Sequence, residues 1–415
     1  MVAVPIVLFF LNHQTFGLST LVFLLGSSIG WTAMVVFRRE WGQVSPYLLA
    51  TLWAITRGLA LVAGEPSVDD DVYRYLWDGA QLMTGGAPYA SAPAEYFHTT
   101  LPPGLDWLAD RLNYPQLATV YGPVWILFGA LGWSLAPDSL LGWKVVLIVI
   151  EAVVALTARG WQRPPMAFAW LTCPLWYWEV FLQGHAEVLS IGLWLIGFVA
   201  LSRGQGIRAG LLMALALGGR WSMVVPIVLA LLLTRSQSGT RLRVLVGLGG
   251  GAVMVIAGLW GMGPIDGSGL RALGTGWTFN PIIWKWFPEQ PSGVWAVGMG
   301  IILILHLKPW NYFIQDLEIW TSMMAVWLLA SPVINPWYLL WLLPGSVMAK
   351  RLQWWMAWSA VIPITYLQAQ WLGDLNRGGG LHAHPDLVWW IQFGTIAAVA
   401  LKCRREQDNL ESVVD

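Results

Sequence analysis

Apolar runs alternate with short polar segments along almost the whole chain, and Pro and Gly interrupt many of these runs. A helix needs roughly 20 residues to cross a bilayer, and fewer where the protein thins the membrane locally. The runs are Phe16–Phe37, Tyr47–Ala63, Val120–Leu135, Leu140–Ala158, Met166–Leu182, Val188–Leu201, Ala209–Leu217, Trp221–Thr234, Val244–Trp260, Val294–Leu307, Leu317–Ala330, Trp337–Ala349, Gln353–Leu367 and Leu387–Leu401. The pattern predicts an all-α polytopic membrane protein with about 11 to 14 transmembrane helices.

Lys and Arg mark the connections that the positive-inside rule assigns to the cytoplasm. The rule then places residues 64–119, 261–293 and 368–386 outside. Two regions, 120–158 and 209–234, fit either one crossing or two, so the sequence leaves their topology open. We expect the protein to be a multi-pass protein of the cytoplasmic (inner) membrane with its active site facing outside.

The composition agrees with a chain that meets lipid more than water. Only 11% of the 415 residues are charged, where soluble proteins have about 25%. The formal net charge is zero, from 23 basic and 23 acidic residues, and 57% of the residues are hydrophobic. These values exclude a soluble enzyme, a disordered chain and a basic nucleic-acid-binding protein.

The first outer connection, residues 64–119, is the longest polar insertion. Connections of this length without structure are unusual and tend to be functional. Its segment Asp71–Thr84 carries apolar residues at helical spacing, which predicts an amphipathic helix lying at the outer interface. We therefore predict a single membrane domain over residues 1–405, a catalytic outer loop at 64–119, and a short cytoplasmic tail at 406–415.

The outer loop also holds the densest group of acids, Asp69, Asp70, Asp71 and Asp78. One interpretation is a helix N-cap, because acids are favoured at the positive end of the helix dipole. Three consecutive carboxylates exceed what a cap needs, however. Like charges so close to a membrane should raise the pKa of at least one, which would suit a general base.

Several motifs resemble those of GT-C membrane glycosyltransferases. The resemblance is greatest to bacterial mannosyltransferases that use polyprenyl-phosphate mannose, of the glycosyltransferase family 87 kind. The motifs are Asp70-Asp71-Val72-Tyr73 with Asp78, Gly85-Gly86-Ala87-Pro88-Tyr89, Tyr121-Gly122-Pro123, Cys173-Pro174-Leu175 with Glu179 and Gly184-His185-Ala186-Glu187, Gly219-Arg220-Trp221, Trp277-Thr278-Phe279-Asn280, and Pro336-Trp337-Tyr338. The chain departs from the family pattern at Gly122, Cys173 and Glu187, where the family has Pro, Asn and Asp.

The resemblance implies a GT-C-type helix bundle and a set of site residues. Asp70 is the favoured catalytic base, because it stands three residues before Tyr73, and Asp71 is the second candidate. The predicted substrate-binding residues are Asp78, Arg74, Tyr73, His185, Arg220, Trp277, Asn280, Trp337 and Tyr338. Arg220 is a candidate phosphate ligand, since an intramembrane Arg is costly, although an Arg at a helix end also snorkels to the interface. The resemblance establishes no cofactor, and a divalent cation, with Asp70 and Asp78 as ligands, is left open.

The implied reaction is an inverting transfer of a hexose, with mannose favoured, from a polyprenyl-phosphate donor to a lipid-linked or glycan acceptor. The expected partners are that donor, the acceptor and membrane lipid, with no nucleic acid. A phosphate leaving group departs as an anion, so one carboxylate base suffices. A transporter or lipid flippase without transferase chemistry is the alternative, and a scaffold subunit with a degenerate site is a third hypothesis.

Overall fold

The computed structural model describes most of the chain as helix. The described residues are 18–37, 46–97, 101–158, 172–220, 223–224, 227, 238–275, 279–282, 321, 324–325, 327–348, 354–366 and 385–411. Within them, extended pairing is limited to an isolated parallel bridge between Phe279 and Val333. The prediction of an all-α fold is therefore confirmed.

The longer helices follow the apolar runs. In chain order they are α1 (Leu18–Phe37), α2 (Pro46–Val62), α3 (Asp71–Met83), α4 (Pro123–Leu135), α5 (Leu141–Ala158), α6 (Glu187–Ser202), α7 (Gly206–Leu217), α8 (Ser238–Gly261), α9 (Ser268–Thr275), α10 (Leu343–Met348), α11 (Trp354–Val361) and α12 (Pro385–Glu411). Shorter helical segments cover Pro93–Tyr96, Asp106–Ala109, Pro174–Trp176, Tyr177–Leu182, Pro336–Trp341 and Ile362–Thr365. Because α12 continues to Glu411, the residues predicted as a short tail from 406 onward begin inside a helix.

One described helix, Gly239–Gly261 within α8, is both long and apolar enough to cross a bilayer. Two shorter helices, Pro174–Leu182 and Glu187–Ser202, satisfy the same criteria when they are taken together as a single broken span. These criteria are length and composition alone. The larger number of crossings expected from the apolar runs stays a prediction.

The chain divides into two compact units. One contains Met1–Ala50, Pro165–Trp178 and Thr278–Asp415, and the other contains Thr51–Pro164 and Glu179–Trp277. The predicted single domain over residues 1–405 stays a prediction. The second unit holds the whole of the acid-rich outer loop, so it carries most of the candidate site.

Close backbone contact fixes α3 against α4 in that second unit. A Cβ on Gly79 of α3 would lie 2.1 Å from the backbone nitrogen of Ala130, and a Cβ on Gly129 of α4 would lie 2.2 Å from the carbonyl oxygen of Tyr75. Only glycine leaves room for such an approach of two helices. This crossing determines where the first turn of α3, with its acids, is held.

The helix predicted from Asp71 onward is confirmed, and α3 begins at that residue. Its surroundings differ from those of a helix at an interface. Every residue from Val72 to Gln81 is buried in the protein, including the charged Arg74 and Asp78. Packing inside its own unit, rather than an amphipathic face toward lipid, therefore accounts for the apolar spacing of α3.

In the first unit, two of the sequence motifs meet. The backbone N–H of Phe279 donates to the carbonyl of Pro332 at 3.0 Å, and that of Ile334 donates to the carbonyl of Phe279 at 2.9 Å. Asn280 follows with φ 49°, a left-handed conformation that Asn tolerates better than most residues. The segment containing Asn280 and the segment leading to Trp337 thus pack as one local structure.

Candidate active site

Three consecutive acids form the entry to α3. Asp70 is the residue that precedes the helix; its side chain is exposed and makes no capping hydrogen bond. The capping contact comes instead from Asp69, whose Oδ1 accepts a hydrogen bond from the backbone N–H of Asp71 at 2.8 Å. Asp69 and Asp71 are partly buried. The three carboxylates therefore differ in surroundings although they are adjacent in sequence.

Asp71 is held by its neighbours in the outer loop. Asn113 donates a hydrogen bond from Nδ2 to Oδ1 of Asp71 at 2.8 Å, and the Tyr75 hydroxyl lies 3.5 Å from Oδ2. Burial raises the pKa of the Asp71 carboxyl, while the bond from Asn113 and the charge of Arg220 lower it. Burial also raises the pKa of Asp69, and the Asp71 carboxylate raises it further. Both acids therefore hold protons more firmly than an exposed Asp.

His185 comes to the same place from a different segment. Gly184, with φ 81°, lies so close to α3 that a Cβ there would be 2.7 Å from Cγ2 of Val72. The backbone N–H of His185 donates to the carbonyl of Glu179 at 2.9 Å, and its Nε2 lies 3.4 Å from Oε2 of Glu179. Both side chains are fully buried. The Gly-His pair is thus a turn that delivers an imidazole beside the acids.

Asp69, Asp71 and His185 can each present one ligand atom within 4.8 Å of the other two. The donor set, two carboxylates and an imidazole, is one that divalent metals accept. Asp70 and Asp78, the ligands considered from sequence, are not part of this described group. The described group that can hold a metal therefore shares no residue with the predicted pair.

Arg220 follows the C-terminal end of α7 and is placed by the start of α4. The N–H groups of Gly122 and Val124 donate to the carbonyls of Gly219 and Gly218 at 3.2 and 3.0 Å. The Arg220 guanidinium lies 5.3 Å from the centre of the Trp125 ring, and its Nη1 lies 3.4 Å from Oε1 of Glu187. Glu187 is fully buried and Arg220 partly so. This cation therefore belongs to the same unit as the acids of α3, and its charge acts on Asp71.

The departure at Gly122 has a structural reason. A Cβ at this position would lie 2.1 Å from the carbonyl oxygen of Gly218. The Pro found in the family pattern also has no N–H to give to Gly219. Gly122 is therefore matched to the Gly218-Gly219 turn that precedes Arg220.

Arg74 and Asp78 are paired with each other one turn apart on α3. Nε of Arg74 donates to Oδ1 of Asp78 at 2.9 Å, and Nη2 donates to the carbonyl of Leu117 at 2.8 Å. Arg74 is 5% exposed and Asp78 is 1% exposed. Tyr73 is also buried, edge-on to Trp107 at 5.9 Å. The substrate roles predicted for these three residues stay predictions, and their contacts favour support of the loop.

Three further predicted residues lie in the first unit. Asn280 is 7% exposed and exchanges two hydrogen bonds with Gln392, at 3.2 and 3.0 Å. Trp337 is buried and edge-on to Tyr338, whose ring stacks on Trp341 at 5.4 Å. Their sugar-binding roles stay predictions, and Trp277 lies outside the described residues.

Asp69 and Asn113 were not among the site residues predicted from the sequence. Asp69 does cap the helix through Asp71, yet it also faces His185, which the linear spacing of the acids does not reveal. Asn113 is one polar residue in a loop with many, so no local signal marked it. Glu179 and Glu187 belong to the sequence motifs given above. Both are buried, Glu179 beside His185 and Glu187 beside Arg220.

Comparisons with known proteins identify the family of this chain. The family model described as Alpha-(1->6)-mannopyranosyltransferase, N-terminal domain, matches residues 2–235. A protein of Mycolicibacterium smegmatis, named as a probable alpha-(1->6)-mannopyranosyltransferase, is 26% identical over 373 residues, covering 72% of this chain and 64% of the relative. Alpha-(1->6)-mannopyranosyltransferase A of Corynebacterium glutamicum is 26% identical over 178 residues, covering 40% of this chain and 34% of the relative.

The chain thus spans less than two thirds of the length of either relative. No solved structure matches it. The matched residues 2–235 include α3, His185 and Arg220 and make up more than half of the sequence. The resemblance to bacterial mannosyltransferases is confirmed, and the chain belongs to the alpha-(1->6)-mannopyranosyltransferase family that this model defines.

Proposed function

We propose that this protein transfers mannose from a polyprenyl-phosphate donor to a glycan or lipid-linked acceptor, forming an α-1,6 linkage outside the cytoplasmic membrane. The observation that carries the proposal is the grouping of Asp70, Asp71 and Arg220 in one unit. It joins an exposed carboxylate, Asp70, to a held carboxylate, Asp71, and to a cation whose charge acts on Asp71. Transfer from a sugar phosphate needs these groups: a base for the hydroxyl and positive charge for the phosphate.

Asp70 is the proposed base because its side chain is exposed and so can meet an acceptor hydroxyl. In the reaction the acceptor oxygen attacks C1 of mannose and its proton passes to the Asp70 carboxylate. The bond from C1 to the phosphate oxygen breaks, and the phosphate leaves with both electrons. One displacement inverts the configuration at C1, so an α product requires a β-linked donor.

Arg220 is the proposed partner of the departing phosphate. Its guanidinium lies at the end of α7, held over Trp125 and paired with the buried Glu187. A planar guanidinium suits phosphate oxygens, and a partly buried one is more effective than an exposed one. The apolar helix α8 and the low charge of the chain support a location in the membrane, where a polyprenyl chain resides.

Transfer of radiolabelled mannose in reconstituted vesicles tests the proposal. Asp70→Asn should lower the rate about 10²- to 10⁴-fold, the range supplied by general base catalysis. Asp110→Asn is the matched control, since Asp110 is an exposed acid of the same outer loop and should leave the rate unchanged.

Three outcomes would contradict parts of the proposal. Full activity of Asp70→Asn would remove the base assignment. Transfer from GDP-mannose but not from polyprenyl-phosphate mannose would contradict the donor. Movement of the sugar lipid across the vesicle membrane without a glycosidic product would favour the transporter alternative.

A further inference from the structure

We propose that Asp69, Asp71 and His185 bind one divalent metal ion. Each offers a ligand atom within 4.8 Å of the other two. Two oxygens that bind the same ion at usual distances are at most about 4 to 5 Å apart, so the group needs little adjustment to close around an ion. The site includes neither Asp70, the proposed base, nor Asp78, which is committed to Arg74.

A backbone hydrogen bond and a close glycine contact hold the two sides of this metal site. On one side, the backbone N–H of Asp71 donates a hydrogen bond to Oδ1 of Asp69, which keeps the two carboxylates together. A metal ion bound to the same oxygen would compete with this hydrogen bond for a lone pair. On the other side, the contact of Gly184 with Val72 fixes the turn that carries His185. The ligands thus come from two segments that the fold brings together, and the imidazole adds a donor that an exposed acidic loop lacks.

Glu179 is a positioning residue for this site. Its Oε2 lies 3.4 Å from Nε2 of His185, and neither side chain is exposed. A carboxylate beside a histidine ring fixes the orientation of the ring and strengthens it as a metal ligand. The arrangement places a buried acid where metal-binding histidines generally have one.

The balance of charge also calls for a cation. Four acids, Asp69, Asp71, Glu179 and Glu187, are partly or fully buried in this region, and Arg220 is the cation whose charge reaches Asp71 and Glu187. Glu187 is fully buried, and neither of its oxygens accepts a hydrogen bond from a described residue. Buried carboxylates are costly unless positive charge offsets them, and a divalent ion would add positive charge beside Asp69 and Asp71.

The donor set indicates the class of metal. One imidazole nitrogen and two carboxylate oxygens suit ions that accept both kinds of ligand, such as Mn²⁺ and Zn²⁺. Ca²⁺ and Mg²⁺ prefer sites made of oxygen alone. With three protein ligands, the ion would keep open positions, which can take water or the oxygens of a phosphate.

Mn²⁺ binding to the purified full-length chain in detergent tests this proposal, and electron paramagnetic resonance reports it directly. We expect one tightly bound Mn²⁺ per chain, with a ¹⁴N coupling from His185 that disappears in His185→Gln. Asp71→Asn should raise the Kd for Mn²⁺ at least about tenfold, as loss of a metal-site residue generally does, and Ca²⁺ should compete poorly. The measurement uses neither donor nor acceptor, so its result is independent of the proposed transfer.

Asp70→Asn is the matched control, because Asp70 lies between the two ligands in sequence but outside the site. It should bind Mn²⁺ with the wild-type Kd. An equal loss of affinity in Asp70→Asn and Asp71→Asn, a ¹⁴N coupling that persists in His185→Gln, or no stoichiometric Mn²⁺ in the wild type would overturn the proposal. If His185→Gln unfolds, as circular dichroism would reveal, Asp69→Asn replaces it, and an unchanged Kd there would also contradict the site.

Discussion

Two parts of α3 carry carboxylates in opposite surroundings. At the first turn, Asp70 is exposed and Asp71 is partly buried, held by Asn113. Two turns later, Asp78 is almost completely buried and bound to Arg74. Because both positions belong to one helix, the difference comes from the residues that the rest of the unit places beside each of them.

The difference in exposure favours a catalytic role for Asp70 and a structural role for the Arg74–Asp78 pair. A carboxylate that meets a substrate must remain accessible or exchange its contacts during the reaction, and Asp70 satisfies the first condition. Arg74 instead donates hydrogen bonds to Asp78 and to the carbonyl of Leu117, and these bonds tie the outer loop to α3. We therefore expect changes at the first turn to lower activity and changes at the buried pair to lower stability.

The largest expected effect on stability is that of Asp78→Asn. It should lower the free energy of unfolding by about 3–5 kcal/mol, because Arg74 cannot give up its proton and would remain buried without a counter-charge. Arg74→Met should cost less, since the Asp78 carboxyl can take a proton and become neutral. Denaturant unfolding of the purified full-length chain would measure both variants.

Asp70→Asn is the internal comparison for that experiment. It should leave the unfolding midpoint at the wild-type value while transfer is lost. Equal destabilisation by Asp70→Asn and Asp78→Asn would contradict the distinction between Asp70 and the buried Arg74–Asp78 pair. So would a loss of transfer in Arg74→Met that is not accompanied by any loss of stability.

The next largest effect concerns the contact that holds α3 in place. Gly79→Ala adds a methyl group 2.1 Å from the backbone nitrogen of Ala130, and overpacking of this kind costs about 1–3 kcal/mol. Gly58→Ala is the control, because Gly58 is also helical, is exposed and has no atom within 4 Å of the added methyl. That variant should be neutral or slightly more stable, by up to about 1 kcal/mol. Unfolding midpoints of both variants would decide, and equal effects would contradict the close crossing of α3 and α4.

Much of the secondary structure follows from the sequence. Hydrophobic runs predict α1, α2, α5 and α6 to within a few residues, because a helix that buries an apolar surface needs a continuous apolar segment. The acids before Val72 likewise predict the start of α3. These are local properties, which a single sequence contains.

The partners of each charge are not local. Asp69 and His185 are far apart in the chain, and the Gly184 turn that joins them depends on contact with Val72. The pairing of Arg74 with Asp78 is local, one turn apart on α3, but the burial of this pair is not, because it depends on segments distant in the chain such as the one that contains Leu117. The motif resemblance named candidate residues but not which of them face one another.

The smallest expected effect is a change in how the stability of the protein depends on pH. It concerns Asp78, the buried carboxyl of α3. Burial raises the pKa of Asp78 above the ordinary value of 3.8, and the charge of Arg74 lowers it by less. The folded protein therefore binds more protons at this group than the unfolded chain does, so its contribution to stability falls as pH rises from about 3.8 through the raised pKa. Asn cannot titrate, and Asp78→Asn should show a flatter dependence of the thermal midpoint on pH than the wild type. Asp110→Asn should keep the wild-type slope, and an unchanged slope in Asp78→Asn would contradict the assignment.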